Sequence, residues 1–207
     1  MNNELFENWA SNYDATVEQI DQSGGFPFAG YEGVLRFIYG HISPRKPLRI
    51  LDLGIGSGRL SHQLSLAGCA ITGVDFSEKM LSKARELMPD ASLIVHDLSS
   101  GLPPFDDQFD AIISTYALHH FDPKKQIELI DEMAKLLAPG GTIYIGDVVF
   151  SDREAADACH KNHADDWDES EYYFVYSELS QALAPDVHAE CVPISWCGGV
   201  VVLSKGH

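Results

Sequence analysis

A chain of 207 residues with 45% hydrophobic content is long enough for one domain with a real core and too apolar for a disordered segment. The 14 Lys and Arg stand against 31 Asp and Glu, leaving a formal net charge of −17. That balance argues against nucleic acid or an anionic membrane as the main partner, since phosphate binding needs clustered basic groups, and it leaves a small polar substrate open.

The chain opens on Met1-Asn2-Asn3-Glu4, with neither the basic region nor the apolar run of a signal peptide. No stretch approaches the ~18 apolar residues of a membrane span, so a soluble, cytoplasmic protein is expected. Residues 4 to 20 read as a helix with Leu5, Phe6, Trp9, Tyr13 and Val17 near one face. Gly24 to Phe28 is an aromatic loop, and Tyr31 to His41 is a second helix ended by Ser43-Pro44. Two helices ahead of any strand suggest a cover over the fold.

Leu48 to Leu53 is apolar on both faces, as a central parallel strand requires. A glycine-rich turn follows, then a helix from Ser57 to Leu66 stopped by Gly68. Ala70 to Val74 is the second strand, and Ser77 is an N-cap for the helix that ends before Pro89. Ser92 to His96 is the third strand, with loop from Ser99 to Gln108. Phe109 to Ser114 is the fourth. Asp122-Pro123 starts a helix whose Ile127, Ile130, Met133, Ala134 and Leu137 keep helical spacing up to Pro139-Gly140-Gly141. Thr142 to Val149 is the fifth strand.

Beyond Ser151 the pattern weakens into an acidic, aromatic-rich and partly helical insertion, whose Trp167 to Tyr176 stretch reads, together with Phe26 to Tyr31, as either the substrate-selecting element or a hydrophobic anchor for the lid. A short helix from Ser177 to Ala184 follows, and the strands Val187–Ser195 and Cys197–Ser204 close the chain as an antiparallel hairpin. The expected fold is α/β: a doubly wound, mostly parallel seven-stranded sheet with a C-terminal antiparallel hairpin and a helical lid. It reads as a single domain: residues 1–46 as cover, 47–149 as core, 150–176 as lid and 177–207 as the final helix and hairpin. Cys69, Cys159, Cys191 and Cys197 lack any CxxC spacing and read as free thiols of a reducing compartment.

Ligands of such sheets bind at the carboxyl ends of the strands. There the chain places Gly54, Gly56 and Gly58, where backbone can turn sharply and approach a ligand closely. Asp75 follows about twenty residues on, suited to accept from both hydroxyls of a ribose. Asp97 follows the third strand, suited to accept from an exocyclic base amine. Arg59 stands where a dinucleotide fingerprint needs its last glycine, and no triphosphate loop is present.

Ile50-Leu51-Asp52-Leu53-Gly54-Ile55-Gly56-Ser57-Gly58 resembles the first motif of the class I S-adenosylmethionine-dependent methyltransferases. Val74-Asp75-Phe76-Ser77 and His96-Asp97-Leu98 resemble the second and third. Phe109 to Ser114 with Ala117-Leu118-His119-His120-Phe121 resembles the fourth-strand motif, and Leu137 to Thr142 the turn before strand five. The opening Phe6-x-x-Trp9-Ala10-x-x-Tyr13-Asp14 and the Val17 to Gly30 region resemble the YrrT-like group of small bacterial methyltransferases.

The resemblance implies S-adenosylmethionine as cofactor, S-adenosylhomocysteine as product and a small-molecule methyl acceptor, in a monomer or homodimer. It implies that Gly54 and Gly56 line the methionine part, that Asp75 holds the ribose, and that Asp52, Ser57, Met80 and Thr115 also contact the cofactor. Phe76 then packs on the adenine, Asp97 accepts from its amine, Leu98 gives a backbone contact, and Tyr13 reaches toward the cofactor's carboxylate or the methyl group. His119, His120 and Tyr13 are the catalytic candidates. Each histidine is either a base near neutral pH or a helix-capping or packing residue. No metal is expected. The pair His160 and His163 among acids reads as a solvated surface helix, and Asp147 as a substrate contact. Aminopropyl transfer, hydrolysis, or a non-catalytic module that senses the cofactor are the rival readings.

Overall fold

The structure is a computed structural model that describes residues 13–44 and 48–206, with the backbone alone for 13–15. The expected helical face at Leu5, Phe6 and Trp9 lies outside the described residues. The first described helix, α1, is Tyr13–Ser23 and runs three residues past its expected end. It is followed by α2 at Tyr31–Ile42. The alternating core then runs β1 Arg49–Leu53, α3 Arg59–Leu66, β2 Ala70–Asp75, α4 Glu78–Leu87 and β3 Ser92–Val95. It continues through β4 Phe109–Thr115, α5 Pro123–Leu136 and β5 Leu137–Phe150. The remainder is α6 Arg153–Asn162, β6 Phe174–Val175, α7 Tyr176–Ala182, β7 Val187–Pro193 and β8 Gly198–Lys205.

Among the described residues the sheet orders its strands β3-β2-β1-β4-β5-β8-β7. The neighbours from β3 to β5 are parallel, with Ile50 beside Ile71 and Ala111, and Ile113 beside Tyr144. β8 is antiparallel to both β5 and β7, with Val201 between Ile145 and Cys191. The seven strands and the closing hairpin are those the sequence pattern predicts. The two-residue β6 is additional: it pairs Phe174 and Val175 with Val149 and Phe150 at the far end of β5. Two residues give no readable period, so such a strand leaves no trace in the sequence.

Each strand divides its side chains between two cores, as alternation across a pleat requires. Ile50 and Ile113 face one layer together with α2, α3 and α4. Leu51, Leu53 and Ile112 face the other, with Leu129, Ile130 and Met133 of α5. Helix α2 buries Val34, Leu35, Ile38 and Ile42, each worth ~1.5–3 kcal/mol on removal from water. It can lie close on the sheet because Gly146 has no side chain; a Cβ there would collide with Val34. No helix among the described residues is long and apolar enough to cross a membrane.

Helix starts follow local chemistry. Ser77 accepts from the Met80 N–H at 3.3 Å, and Asp122 accepts from the Lys125 N–H at 2.9 Å with Pro123 in the first turn. Helix α3 starts at Arg59, two residues later than the apolar pattern suggests, because Gly58 caps it in the left-handed region at φ 83°.

Candidate functional site

Four strand ends meet at one cavity. The loop after β1 forms its floor. The N–H groups of Gly54 and Ile55 both donate to the Val74 carbonyl, at 2.8 and 3.1 Å, which folds the loop back over the end of β2. Gly54 has φ 75°, and a Cβ there would run into Ala117 of the loop after β4. Gly56 differs: its φ is 55°, but the space a Cβ would enter is open. One glycine therefore serves packing, while the other keeps backbone bare beside the cavity.

Three carboxylates mark the strand ends. Asp52 is buried on the cavity wall, its Oδ2 accepting from the Ser61 hydroxyl at 2.6 Å while Oδ1 has no hydrogen-bond partner among the described residues. Burial pushes its carboxyl up to about 7, against the Ser61 hydrogen bond. Asp75 accepts from the Gly56 N–H through Oδ2 and from the Ser77 N–H through Oδ1, both at 2.9 Å. Burial also raises its carboxyl, opposed by those N–H groups. Asp97 is largely open to water and accepts from the Ser99 N–H at 2.8 Å, which holds its carboxyl below the usual range.

The sequence-predicted residues gather here. Asp52, Gly54, Gly56 and Ser57 line the cavity from the first loop, and Asp75, Phe76 and Met80 from the second. Asp97 and Leu98 line it beyond β3, and Thr115, His119 and His120 beyond β4. Tyr13 begins α1, and its side chain lies outside the described residues. Arg59 and Phe121 join the lining without having been singled out for it by the sequence, while Phe28, Tyr31 and Glu171 fall within the stretches Phe26 to Tyr31 and Trp167 to Tyr176 that were expected to select the substrate. Arg59 pairs with Glu32 at 2.5 Å, and its guanidinium carbon lies 5.6 Å from the Tyr31 ring centroid. Phe28 and Tyr31 fall in the aromatic stretch after α1, which was the available signal for them.

The far end of the cavity is built on His119. This imidazole is buried, with Nδ1 2.7 Å from Asp147 Oδ1 and Nε2 3.5 Å from Glu171 Oε1. Burial works against its positive charge, but the Asp147 and Glu171 carboxylates prevail and raise it to about 10. His120 packs edge-on against it, with ring centroids 4.2 Å apart. Burial and the neighbouring His119 charge lower His120 to about 4. Burial alone would raise Glu171, but contact with His119 and the Tyr173 hydroxyl, 2.6 Å from Oε2, brings it down to about 2.

Asp147 departs from its expected role. β5 runs on to Phe150, so Asp147 lies inside the strand, fully buried behind His119, and also accepts from the Val148 N–H at 2.7 Å. It orients an imidazole and is not among the cavity-lining residues. His160 and His163 do not converge. His160 contacts Glu169 at 2.9 Å and stacks on Trp167, whereas His163 stacks on Trp196. Phe26 lies parallel to Trp167 with centroids 5.4 Å apart, and Tyr173 meets both edge-on. These rings fasten the insertion to the loop after α1 and set Glu171 in place. All four cysteines are free.

The cavity's ionic character selects among ligands. Asp52, Asp75, Asp97 and Glu171 face it, and the one arginine among its described lining residues is already paired with Glu32. Such a lining suits a cationic adenosyl compound and disfavours a polyphosphate. The unpartnered Asp52 Oδ1 fits an ammonium group, and the bare backbone at Gly56 leaves room for a ligand against it.

Comparison with known proteins agrees. A family model described as a methyltransferase domain matches residues 50–141. An uncharacterized methyltransferase of Geobacillus sp. (strain WCH70) is 37% identical over 153 residues, which are 73% of this chain and 69% of that protein. Another, of Bacillus licheniformis, is 36% identical over 159 residues, 76% of this chain and 72% of that one. Among solved structures, a DhpI–SAH complex has a TM-score of 0.73 at 19% identity, covering 98% of this chain and 94% of that one. Magnesium protoporphyrin IX methyltransferase (ChlM) from Synechocystis PCC 6803, with bound SAH, has a TM-score of 0.67 at 17% identity, covering 86% and 85%. At those identities the solved structures bear on the fold alone.

Proposed function

This chain belongs to the class I S-adenosylmethionine-dependent methyltransferases, and from that premise we propose that it methylates a small molecule by in-line displacement. The observation that carries this reading is a continuous cavity that joins the glycine loop and its acids to the end walled by Phe28, Tyr31, Phe121, His119, His120 and Glu171. A wall drawn from the cover, the β4 loop and the insertion suits a compact acceptor rather than a folded macromolecule. We assign the chain further to the YrrT-like group, a reading supported by its opening motif and by the Geobacillus and Bacillus relatives. We also read residues 1–207 as one unit, with 1–46 and 150–176 covering the core 47–149, completed by 177–207.

S-adenosylmethionine, when bound, supplies the methyl group as a sulfonium electrophile. Gly54, Gly56 and Ser57 would hold its amino-acid portion, with Asp52 facing the ammonium. Asp75 would accept from the ribose hydroxyls, since each carboxylate oxygen retains a lone pair beside its backbone N–H. Phe76, Met80, Asp97 and Leu98 would enclose the adenine, and Thr115 would border the reacting methyl. The chain's remaining task is alignment and exclusion of water, worth as much as ~7–11 kcal/mol of the barrier when the reacting atoms are held in line. His119, tethered at both nitrogens and already holding a proton, cannot take another; it shapes the acceptor end.

The test is a methyl-transfer screen against a metabolite library with detection of S-adenosylhomocysteine. Turnover of one small acceptor by the wild type is expected. Calorimetry that detects no binding of S-adenosylmethionine or S-adenosylhomocysteine would overturn the reading.

A further inference from the structure

We propose that His119, His120 and Glu171 bind a divalent transition-metal ion of the zinc class at the acceptor end of the cavity. The sequence gives no hint of this, because the carboxylate lies 52 and 51 residues beyond the two imidazoles in the chain and meets them only through the fold.

One donor atom from each of the three residues lies within 4.8 Å of the other two. Glu171 Oε1 stands 3.5 Å from His119 Nε2 and 3.8 Å from His120 Nδ1. Both separations exceed an ordinary hydrogen bond of ~2.7–3.2 Å. They approach the ~3.3 Å edge of a tetrahedron whose metal–ligand bonds are ~2.0–2.1 Å. The three donors are thus held apart by roughly the space an ion occupies.

The surroundings orient these donors as the outer shell of a metal site does. Asp147 engages His119 Nδ1 at 2.7 Å, which fixes the ring and leaves Nε2 turned toward Glu171. The Tyr173 hydroxyl engages Glu171 Oε2 at 2.6 Å, which leaves Oε1 turned toward the imidazoles. Each of these two ligands thus has one polar atom anchored and the other presented. The charge count agrees: two carboxylates face the imidazole pair, and a dication offsets both. Two imidazole nitrogens and one carboxylate oxygen are a donor set for zinc, iron(II) or cobalt(II), and a poor one for magnesium, which prefers oxygen ligands throughout. On binding, the ion takes the place of the His119 Nε2 proton, which leaves to solvent.

Three protein ligands leave a fourth position, and all three line the cavity from which an acceptor would reach it. The role given to that position rests on the methyl-transfer reading; the site itself does not. An acceptor thiol or hydroxyl ligated there loses its proton to solvent. Its electron pair then forms the bond to the methyl carbon as the carbon–sulfur bond of the sulfonium breaks onto sulfur. The acceptor class that fits is a small thiol or acidic hydroxyl compound.

The test uses the full chain, stripped with a chelator and dialysed. Cobalt(II) is titrated by visible absorption, zinc(II) by competition with a chromophoric chelator, and magnesium serves as control. One equivalent of cobalt or zinc is expected, at least 10-fold weaker in Glu171→Gln and in His120→Gln, and about 10–100-fold weaker in Asp147→Asn, which acts through His119. Absence of a bound equivalent in the wild type, or unchanged affinity in Glu171→Gln and His120→Gln, overturns the site. Should a variant unfold, the zinc K-edge spectrum of the wild type decides: two imidazole ligands support the site, and any other count overturns it. Calorimetry of S-adenosylhomocysteine on the same samples keeps the two readings apart. Its loss with metal binding intact would remove the cofactor reading alone, and its persistence without metal binding would remove this one alone.

Discussion

His119 Nδ1 and Asp147 Oδ1 lie 2.7 Å apart inside the sheet's edge, both buried, and this pair fixes the orientation of the cavity's far end. Removing one partner of a buried charged pair strands the other. Asp147→Ala is expected to lower stability by about 3 kcal/mol, read by urea denaturation. Asp147→Asn keeps an oxygen acceptor and should lose about 1–2 kcal/mol. Equal losses would contradict a pairing based on charge.

Asp75 is the residue on which the nucleoside reading depends most. Hydrogen bonds to a charged acceptor are worth about 1.5–3 kcal/mol each. Asp75→Ala should therefore weaken S-adenosylhomocysteine binding by about 100-fold in calorimetry. It also frees the Gly56 and Ser77 N–H groups that now donate to it, so part of the loss will come from a looser glycine loop. Wild-type affinity in this variant would contradict the ribose role.

Burial raises the Asp52 carboxyl to about 7, and the sign of its pH dependence follows. In the ligand-free chain its contribution to stability is fully present below the unfolded value of about 4 and is lost as pH rises through about 7. An ammonium group placed beside Asp52 favours the ionised form. S-adenosylhomocysteine affinity should therefore rise with pH up to about 7. Calorimetry in two buffers of different ionisation enthalpy should report nearly one proton released per site near pH ~6, fading above pH ~8. Asp52→Asn should abolish the release.

Gly54 and Gly56 give a paired test of loop against ligand. Both have positive φ, where an L-residue costs about 1–2 kcal/mol. A methyl at Gly54 also strikes Ala117, so Gly54→Ala should lose more stability than that. Gly56→Ala meets open space and should stay near the backbone cost alone, yet weaken S-adenosylhomocysteine binding as strongly as Gly54→Ala does. Thermal melts and calorimetry on the two variants separate these effects. A Gly56→Ala chain with unchanged affinity would show that the loop does not approach the ligand.

The parts of this molecule that were legible in sequence are those written by local physics. Apolar runs gave the strands, the Gly54 to Gly58 spacing gave the loop, and Ser77 and Asp122 marked helix starts. The acids at strand ends were legible because strand polarity alone brings Asp52, Asp75 and Asp97 to one rim. Glu171 was legible only as one acid of the Trp167 to Tyr176 stretch: its place beside the imidazoles depends on the stacking of Phe26 on Trp167, a contact across 141 residues that no local pattern reveals. Asp147 was misread for a related reason. A strand end read from apolar text stops at Val149 with the acid near its mouth, whereas pairing with β6 and β8 carries the strand to Phe150 and draws the acid inward. For Tyr13 only the backbone is described, as the start of α1.

The carboxylates of the glycine-loop end, from Asp52 to Asp97, come from one continuous stretch, while Glu171 comes from a segment inserted after β5. Chain order therefore separates two inheritances. A recombination event that exchanges only residues 151–173 between relatives replaces one wall of the acceptor end and leaves the 52–98 stretch untouched. Under this arrangement a lineage can diversify what it modifies without re-evolving how it holds its methyl donor.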